Sequence, residues 1–353
     1  MRYQLTIEPL GQTLDVAENQ TILDACLRAG IWLPHACGHG LCGTCKVQTM
    51  DGELEHGEAS PFALMDFERD EGKCLACCAT VQSDLTIEAD IDPEPDAACL
   101  PLADYRARVT RIEQLTPTIK GVFLAVEDGA RVQYQPGQYV NLWLDGEAAP
   151  RAFSIASAPS NDEVELNIRL VPGGRITTHV HQQLAVGDGV TVSGPLGRFF
   201  VRKSDPRPLL FIAGGSGLSS PRSMILDLLE SGDTRQIRLI HGARTFDELY
   251  YREQFEALAA SHPNFDYFPV LSSEPAESPW RGERGYAHEV AGRCFNRDFR
   301  GWRAYLCGPP PMVESAIAAL MQGRLFEKDI FTEKFLSAAD GNGAARSPLF
   351  RAL

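Results

Sequence analysis

Cysteines crowd into a short stretch near the start of the chain. Cys37, Cys42 and Cys45 are spaced as C-x4-C-x2-C in PHACGHGLCGTCKV, and Cys77 and Cys78 follow further along in LACC. Three thiolates in one tight loop, with a fourth from elsewhere, is the ligand spacing of a plant-type [2Fe-2S] cluster. These residues therefore predict a site that carries single electrons.

Glycines separate the first three cysteines. Gly38, Gly40 and Gly43 lack side chains and permit positive φ, so backbone N–H groups can turn toward the sulfurs and stabilise their negative charge. A zinc site also uses four cysteines, but structural zinc sites prefer two short knuckles of the C-x2-C type. Three ligands in one loop favour the iron–sulfur cluster.

The residues alone leave the fourth ligand open among Cys74, Cys77 and Cys78. The stretch LACCAT fits an extended segment, in which neighbouring side chains point in opposite directions. Only one of Cys77 and Cys78 is then expected to face the cluster. Cys26 lies among apolar residues of a predicted helix, and we expect it to pack in a core.

A second group of residues with suggestive chemistry lies in the middle of the chain. Arg151, Phe153 and Ser154 form an R-x-aromatic-S motif, which offers a guanidinium for a pyrophosphate, a ring for a flavin and a hydroxyl for flavin N5. The stretch VPGGRITTHVHQQL places Gly174 and Thr177 at a predicted helix start, where N–H groups and a hydroxyl suit a phosphate. Together they predict a flavin nucleotide site.

A third group points to a dinucleotide. IAGGSGLSSP carries Gly214, Gly215 and Gly217 between an apolar strand and a helix, where glycines allow a close approach of a pyrophosphate. Further on, YLCGPPPM ends a strand with Cys307 and Gly308, followed by three prolines that form a rigid wall. A thiol at that point can lie against a nicotinamide ring.

The elements that must hold these residues fall into three segments. Residues 1–92 begin with a strand hairpin, continue with a helix capped by Thr21, and are followed by an acidic, proline-rich linker at 90–101. Residues 102–204 show short strands with Gly and Pro turns, which predict an antiparallel barrel. From 207 to 353 buried strands alternate with helices, which predicts a parallel α/β sheet.

Charge and hydropathy narrow the possible functions. The net charge of −14 argues against nucleic-acid binding, which requires a basic face. Residues 1–92 hold 16 acidic and five basic residues, a net charge of −11. Such an excess serves either solubility or steering toward a basic protein partner. No apolar run is long enough to span a bilayer and no signal peptide is evident, so we expect a cytoplasmic protein without a membrane partner.

The order of these motifs resembles the ferredoxin–NAD(P)H reductase superfamily with an N-terminal ferredoxin fused on. The stretches ACGHG, GEASPFALMDFERDE, LACC, AGGSGLSSP, AYLCGPPPM and QGRLFEKDIF resemble the reductase components of multicomponent phenol hydroxylases. The likeness extends over essentially the whole chain. It implies a multidomain α+β and α/β protein: a β-grasp-like ferredoxin domain at 1–92, an antiparallel β-barrel for FAD at 102–204 and a parallel α/β nicotinamide domain with a C-terminal tail at 207–353.

The resemblance also assigns roles to residues, with Ser154 and Cys307 as the catalytic pair. The implied cluster ligands are Cys37, Cys42, Cys45 and Cys77; the FAD contacts are Arg151, Phe153, Ser154, Gly174, Thr177 and Phe335; the nicotinamide contacts are Gly214, Gly215, Gly217, Gly308 and Pro309, with Cys307. Two positions depart from the usual pattern. Phe153 replaces a tyrosine, and Pro221 comes one residue later than usual, which leaves the start of its helix open.

The implied activity is electron transfer from NADH, with NADPH less favoured, through FAD and the cluster to a di-iron hydroxylase in aromatic degradation. Arg244, after the second strand of the α/β sheet, would instead suit the 2′-phosphate of NADPH. The alternative acceptors are a Rieske aromatic-ring dioxygenase and a toluene or methane monooxygenase. A module that only senses redox state is a different class, and the complete nicotinamide segment disfavours it.

Overall fold

A computed structural model describes residues 2–92, 94–144 and 149–335. The chain forms two compact units, which divide in the sequence between Ala103 and Asp104. Within the described residues, no helix is both long and apolar enough to cross a membrane. Each unit is described by itself below.

The first unit is a small mixed sheet with a helix packed on it. Its elements are β1 Arg2–Glu8, β2 Gln12–Ala17, α1 Ile22–Arg28, β3 Lys46–Asp51, β4 Leu54–Glu55, α2 Asp66–Asp70, β5 Lys73–Leu75, β6 Thr80–Val81 and β7 Leu85–Glu88. The five-stranded sheet has the order β2-β1-β7-β3-β5, with β1 antiparallel to β2 and parallel to β7, while β4 and β6 pair separately. This is the predicted β-grasp-like arrangement.

Helix α1 begins and packs as the sequence predicts. The hydroxyl of Thr21 accepts a hydrogen bond from the N–H of Asp24 at 3.2 Å, which caps the helix. Cys26 is fully buried in the core that the helix shares with the sheet. Burial raises the pKa of the Cys26 thiol to about 12, so this cysteine is a packing residue.

The second unit begins with the antiparallel barrel. Its elements are β8 Ala103–Thr116, β9 Ile119–Val126, β10 Tyr139–Trp143, β11 Arg151–Ser154, β12 Val164–Arg169, α3 Arg175–Gln182 and β13 Gly189–Leu196. The strand order is β11-β10-β13-β8-β9-β12. An antiparallel bridge between Ile155 and Leu166 joins the two edges of the sheet, which confirms the predicted barrel.

A parallel sheet completes the second unit. Its elements are β14 Leu209–Gly214, α4 Ser219–Glu230, β15 Ile237–Ala243, α5 Arg252–Ser261, β16 Phe265–Leu271, β17 Glu283–Arg284, α6 Ala287–Cys294, β18 Arg303–Gly308, α7 Pro310–Gln322 and β19 Ile330–Lys334. The order is β17-β16-β15-β14-β18-β19. Strands β15 to β17 are therefore added on one side of β14, and β18 and β19 on its other side. This change in strand order between β14 and β18 is the reversal point of the sheet. Nucleotides bind at such a point, outside the carboxyl ends of the strands.

A buried ion pair joins the barrel to the parallel sheet. Arg222 on α4 donates to Glu165 on β12 at 2.8 Å and to the carbonyl of Ala156 at 2.7 Å. The guanidinium lies over the ring of Tyr251, 4.0 Å from its centre. The two charged side chains are only 8% and 4% exposed. Because separation of the two folds would leave each buried charge without its partner, the pair holds the folds in one arrangement.

Candidate functional site

The cysteine loop folds tightly between α1 and β3. Three of its glycines take positive φ angles: Gly38 at 72°, Gly40 at 73° and Gly43 at 73°. Gly40 is also crowded, because a Cβ at this position would lie 2.6 Å from the sulfur of Cys78. The loop therefore needs glycine here both for its conformation and for its close approach to the second cysteine group.

Backbone N–H groups of this loop point at cysteine sulfurs. The N–H groups of His39 and Leu41 donate to the sulfur of Cys37 at 3.4 and 3.3 Å. The N–H of Gly40 donates to the sulfur of Cys77 at 3.3 Å. Donors placed in this way stabilise thiolates, which an iron–sulfur cluster requires.

The four thiols of the predicted ligand set are arranged in two pairs. Cys42 is hydrogen-bonded with Cys37, and Cys45 with Cys77. The hydrogen bond from Cys45 and that from the Gly40 N–H lower the pKa of Cys77 to about 6, against the effect of burial. Two pairs of thiolate donors fit the two irons of a [2Fe-2S] cluster, each of which takes two terminal thiolates.

The predicted extended conformation of LACCAT is wrong. Residues 76–78 form a turn after β5, and the sulfurs of Cys77 and Cys78 lie 3.6 Å apart. Both thiols therefore face the glycine loop, and alternation along a strand does not distinguish them. The Gly40 N–H donates to the sulfur of Cys77, which favours Cys77 as the fourth ligand, as the resemblance implies. Cys74, the third candidate, is buried in β5 opposite Val47.

Two loops of the parallel sheet meet at its reversal point. A Cβ on Gly217 would lie 2.5 Å from Cα of Gly308, and one on Gly214 would lie 2.7 Å from the sulfur of Met312. These glycines are required because the loops pack against each other. Gly215 is different: it has a φ of 56°, and the nearest atom to its Cβ position is Nη1 of Arg169 at 3.7 Å. Gly215 is thus required by its backbone conformation and not by close packing.

A carboxyl group at the same point gathers three donors from different elements. Oε2 of Glu333 on β19 accepts from the Ser220 hydroxyl at 2.8 Å, the Ser154 hydroxyl at 3.3 Å and the Cys307 thiol at 3.4 Å. The strand register explains part of this arrangement, since Cys307 and Glu333 are direct partners in β18 and β19. The two residues predicted to be catalytic, Ser154 and Cys307, therefore meet through Glu333.

Burial governs the ionisation of this group. It raises the pKa of Glu333, and it raises the pKa of the Cys307 thiol well above its ordinary range. The carboxyl group accordingly holds a proton at higher pH than a solvated glutamate. The sequence prediction missed Glu333 and Ser220, although Ser220 occupies the extra position of the lengthened GGSGLSSP motif. Helix α4 begins at Ser219, which places Pro221 inside its first turn.

The R-x-aromatic-S motif lies on β11 at the edge of the barrel. Along it Arg151 is exposed, Phe153 is half-buried against the barrel core, and Ser154 is buried. These exposures leave the guanidinium accessible for a pyrophosphate and the ring partly accessible for a flavin. The arrangement fits the predicted FAD contacts.

The glycine turn before α3 differs in one respect from its prediction. Gly174 is the N-cap residue of the helix, as expected. The Thr177 hydroxyl, however, donates to the Gly174 carbonyl at 3.3 Å and accepts from the N–H of Val171 at 3.2 Å. It holds the turn, and its contact with a phosphate stays a prediction. The N–H groups of the first helical turn, which have no intrahelical acceptors, are the donors that suit a phosphate.

The remaining predicted contacts lie beside the end of β18. Pro309 caps α7, and the N–H of Phe335 donates to the carbonyl of Gly308 at 3.1 Å. Phe335 is thereby anchored next to the strand end that carries Cys307. Arg244 is engaged with a carboxylate, since its Nε donates to Glu248 at 3.0 Å and its backbone N–H to the same oxygen at 3.3 Å.

Comparison with known proteins decides among the possible functions. The chain matches a 2Fe-2S iron-sulfur cluster binding domain at residues 5–82, an oxidoreductase FAD-binding domain at 106–201 and an oxidoreductase NAD-binding domain at 211–317. It is 58% identical to the phenol 2-monooxygenase reductase component of Pseudomonas sp. strain CF600, with 99% of each chain covered. The chain belongs to the family of phenol hydroxylase reductases.

Two further comparisons extend this family assignment. The phenol hydroxylase P5 protein of Acinetobacter pittii strain PHEA-2 is 58% identical, again with 99% of each chain covered. The crystal structure of the reductase GcoB from Amycolatopsis superposes with a TM-score of 0.82 at 34% identity, covering 94% of this chain and 98% of that chain. The protein is therefore an NAD-dependent electron-transfer reductase with FAD and a [2Fe-2S] cluster.

Proposed function

We propose that the chain is the reductase component of a multicomponent phenol hydroxylase and delivers electrons from NADH to a di-iron hydroxylase component. The observation that carries the proposal is 58% identity, over essentially the whole chain, to two reductases of phenol-hydroxylating systems. When bound, FAD accepts the electron pair of NADH and releases it in single-electron steps. The Gly/Cys loop supplies three thiolates and N–H donors, and Cys77 supplies the fourth thiolate, to the centre that takes those electrons.

The chain's residues orient the reactants at the sheet reversal point. We propose that Gly215 faces the dinucleotide, and the first turn of α3 offers N–H donors to a phosphate. Ser154, Cys307 and Glu333 converge where the barrel and the sheet meet, so we propose that they line the contact between nicotinamide and flavin. Their mutual hydrogen bonds keep the thiol and the carboxyl in fixed positions.

Reconstitution with purified components tests this function. The holoprotein is mixed with the di-iron hydroxylase component of a phenol hydroxylase, and phenol consumption is measured against NADH oxidation under air. We expect the two to be coupled one to one. Parallel reactions with Rieske dioxygenase and toluene monooxygenase components test the alternative acceptors, and faster turnover with either of these would overturn the proposal.

We also propose that NADH is preferred over NADPH because the carboxylate of Glu248 already binds the guanidinium of Arg244. The carboxylate takes the guanidinium that would otherwise bind a 2′-phosphate, and Arg244 in turn lowers the pKa of Glu248, which keeps it charged. A negative carboxylate at this position repels a phosphate dianion.

The ratio of kcat/KM for the two nucleotides tests this preference. Glu248→Gln should raise kcat/KM for NADPH about tenfold or more, in line with the worth of a charge-assisted bond to phosphate. Glu256→Gln is the matched control, because Glu256 forms the same i,i+4 pair with Arg252 on α5. An unchanged ratio in Glu248→Gln would show that the Arg244–Glu248 pair does not select the nucleotide.

The domain limits of the proposal are 1–92 for the cluster, 102–204 for FAD and 207–353 for the nicotinamide cofactor. Each contains the corresponding family match. We further propose that the protein works in the cytoplasm, where NADH is supplied and cysteine thiols remain reduced.

A further inference from the structure

Large apolar side chains are exposed beside the cysteine loop. Phe62 is 92% exposed, Leu41 62% and Met65 49%. Of the twelve large hydrophobic side chains that are exposed in the described part of the chain, five fall within residues 41–67. Scattered exposed apolar residues are ordinary on a soluble protein, but a local concentration of them marks an interaction surface.

Backbone contacts tie these side chains to the cluster loop. The N–H of Ser60 donates to the carbonyl of Gly40 at 3.0 Å, and the carbonyl of Ala63 lies 3.2 Å from the Cβ position of Gly43. Phe62 lies in the chain between these two attachment points. Leu41 belongs to the loop itself, between Gly40 and Cys42. An aromatic ring and an aliphatic side chain are thus presented to solvent by the segments that cover the thiols.

The surroundings of these side chains are negative. Glu58 and Asp66 are exposed, and the carbonyl of Glu58 lies 3.1 Å from the Cβ position of Gly40 in the cysteine loop. The basic residues of the same segments are engaged with the protein. Lys46 forms an ion pair with Glu68, and Arg69 donates to the carbonyl of Ala59 at 3.2 Å.

We propose that Leu41, Phe62 and Met65, bordered by the carboxylates of Glu58 and Asp66, form the docking surface for the protein that accepts electrons from the cluster. This surface, the cluster-side patch, fits a folded partner whose face has an apolar recess bordered by Lys or Arg. The proposal rests on the proposed function in that the partner is the hydroxylase component. One electron leaves the reduced cluster and reduces the iron centre of that component, and no bond forms or breaks in the reductase.

The apolar and charged parts of the patch have different tasks. A fully exposed aromatic ring that becomes buried at the centre of an interface supplies much of the binding free energy. Charges at the rim mainly accelerate association and make it depend on salt. Electron transfer requires close approach, and the patch lies on the segments that directly cover the thiols.

Phe62→Ser in the full-length holoprotein tests the patch. We expect the Kd for the oxidised hydroxylase component, measured by calorimetry, to rise about tenfold or more, which is about 1.4 kcal/mol. Anaerobic bleaching of the cluster by NADH, followed by stopped flow, should be unchanged, because the side chain of Phe62 is 92% exposed. Phe326→Ser is the matched control, since Phe326 is 62% exposed in the second unit and should leave Kd unchanged.

The double variant Glu58→Gln with Asp66→Asn tests the rim. It should lower the association rate and flatten its dependence on salt between about 0.01 and 0.5 M, where the screening length falls from roughly 30 Å to a few ångströms.

Equal Kd values for Phe62→Ser and Phe326→Ser would overturn the proposal. The component titrated is whichever one receives electrons from the unmodified protein. Failure of the phenol hydroxylase assignment therefore changes the partner used, and the comparison of the two variants still decides on the patch.

Discussion

The two redox regions of this chain are built in different ways. The cysteine loop takes three of its four thiolates from nine consecutive residues, 37–45, and positive-φ glycines turn its N–H groups toward them. The carboxyl group of Glu333 takes its donors from β11, α4 and β18, and the most distant donor, Ser154, lies 179 residues from Glu333 in the chain. The first region is local and half-exposed, and the second is distant in sequence and surrounded by buried donors.

This difference follows from what each region does. A cluster that passes electrons to another protein must lie near the surface, and thiolates in one loop achieve that without a large core. A carboxyl group with a raised pKa must be removed from water, because desolvation is what disfavours its charged form. Removal from water requires several elements to close around it, so the residues cannot be neighbours in the chain.

The largest expected effect concerns the two adjacent cysteines of the local region. Cys77→Ser should abolish the cluster, because Cys77 is the fourth ligand that the resemblance implies and the N–H of Gly40 donates to its sulfur. Cys78→Ser should retain most of it, since the four ligands are then all still present. Iron and sulfide content and the visible spectrum measure this.

Reduction of FAD by NADH should remain intact in both cysteine variants, which serves as the control for folding of the second unit. If the cluster were kept in Cys77→Ser and lost in Cys78→Ser, the fourth ligand would be Cys78 and not Cys77. The local region would then be as dependent on tertiary context as the distant one.

A smaller effect is expected when the distant region is altered. Glu333→Gln should slow reduction of FAD by NADH about a hundredfold or more, because a positioned acid or base contributes roughly 10²–10⁴-fold. In the unmodified protein the rate should fall as pH rises through the raised pKa of Glu333, because the carboxyl loses its proton, and the variant should lack this fall. The other titrating groups near it are Cys307 and Tyr139, both with raised pKa values. Stopped-flow bleaching of the flavin from pH 6 to 9 provides the measurement.

Stability should change in the opposite direction in the same variant. A carboxyl whose pKa is raised in the folded state destabilises that state at every pH above its unfolded value, and the effect grows as pH rises to the folded value. Glu333→Gln removes this cost, so its melting temperature should exceed that of the unmodified protein by more at pH 8 than at pH 5. A difference independent of pH would show that Glu333 is not buried as an acid.

The smallest effect is expected at Ser220, which positions Glu333. Ser220→Ala removes the shortest of the three hydrogen bonds to Oε2, so flavin reduction should slow about three- to tenfold, the kinetic equivalent of one neutral hydrogen bond of about 1 kcal/mol. KM for NADH should be unchanged, and the pH dependence should shift. Ser223→Ala is the control, because Ser223 lies on the same helix as Ser220 and its hydroxyl donates to the carbonyl of Ser157 instead. Equal rates in the two variants would show that Ser220 only packs in the core and does not position Glu333.

The sequence predicted the fold more completely than the sites. The alternating strands of the barrel, the β/α alternation of the last segment and the Thr21 cap are all local signals, and the structure contains each of them. The cysteine spacing is likewise a local signal, because three of the predicted cluster ligands lie in one loop. The family comparisons confirm the cofactors that these motifs predicted.

The differences between the sequence prediction and the structure have two physical origins. The turn at residues 76–78 contains neither Gly nor Pro, so composition alone favoured an extended segment. This difference is local, because the N–H of Cys78 donates to the carbonyl of Leu75 within the turn. Glu333 resembles an ordinary polar residue of an edge strand until the register places it opposite Cys307. Its role depends on strand pairing, which no local pattern reports, while the contact of Thr177 with a phosphate stays a prediction.

The buried pair of Arg222 and Glu165 limits how this protein can be recombined. The barrel and the parallel sheet are distinct folds, and exchange of one for a homologous part is an obvious route to a new reductase. A graft that omitted either member would leave an unpaired charge in a dry interior, at a cost of about 3–5 kcal/mol. That is a large share of the 5–15 kcal/mol by which a typical domain is stable. A working chimera must therefore carry Arg222, Glu165 and the ring of Tyr251 together. The barrel and the parallel sheet are thus best exchanged as one unit.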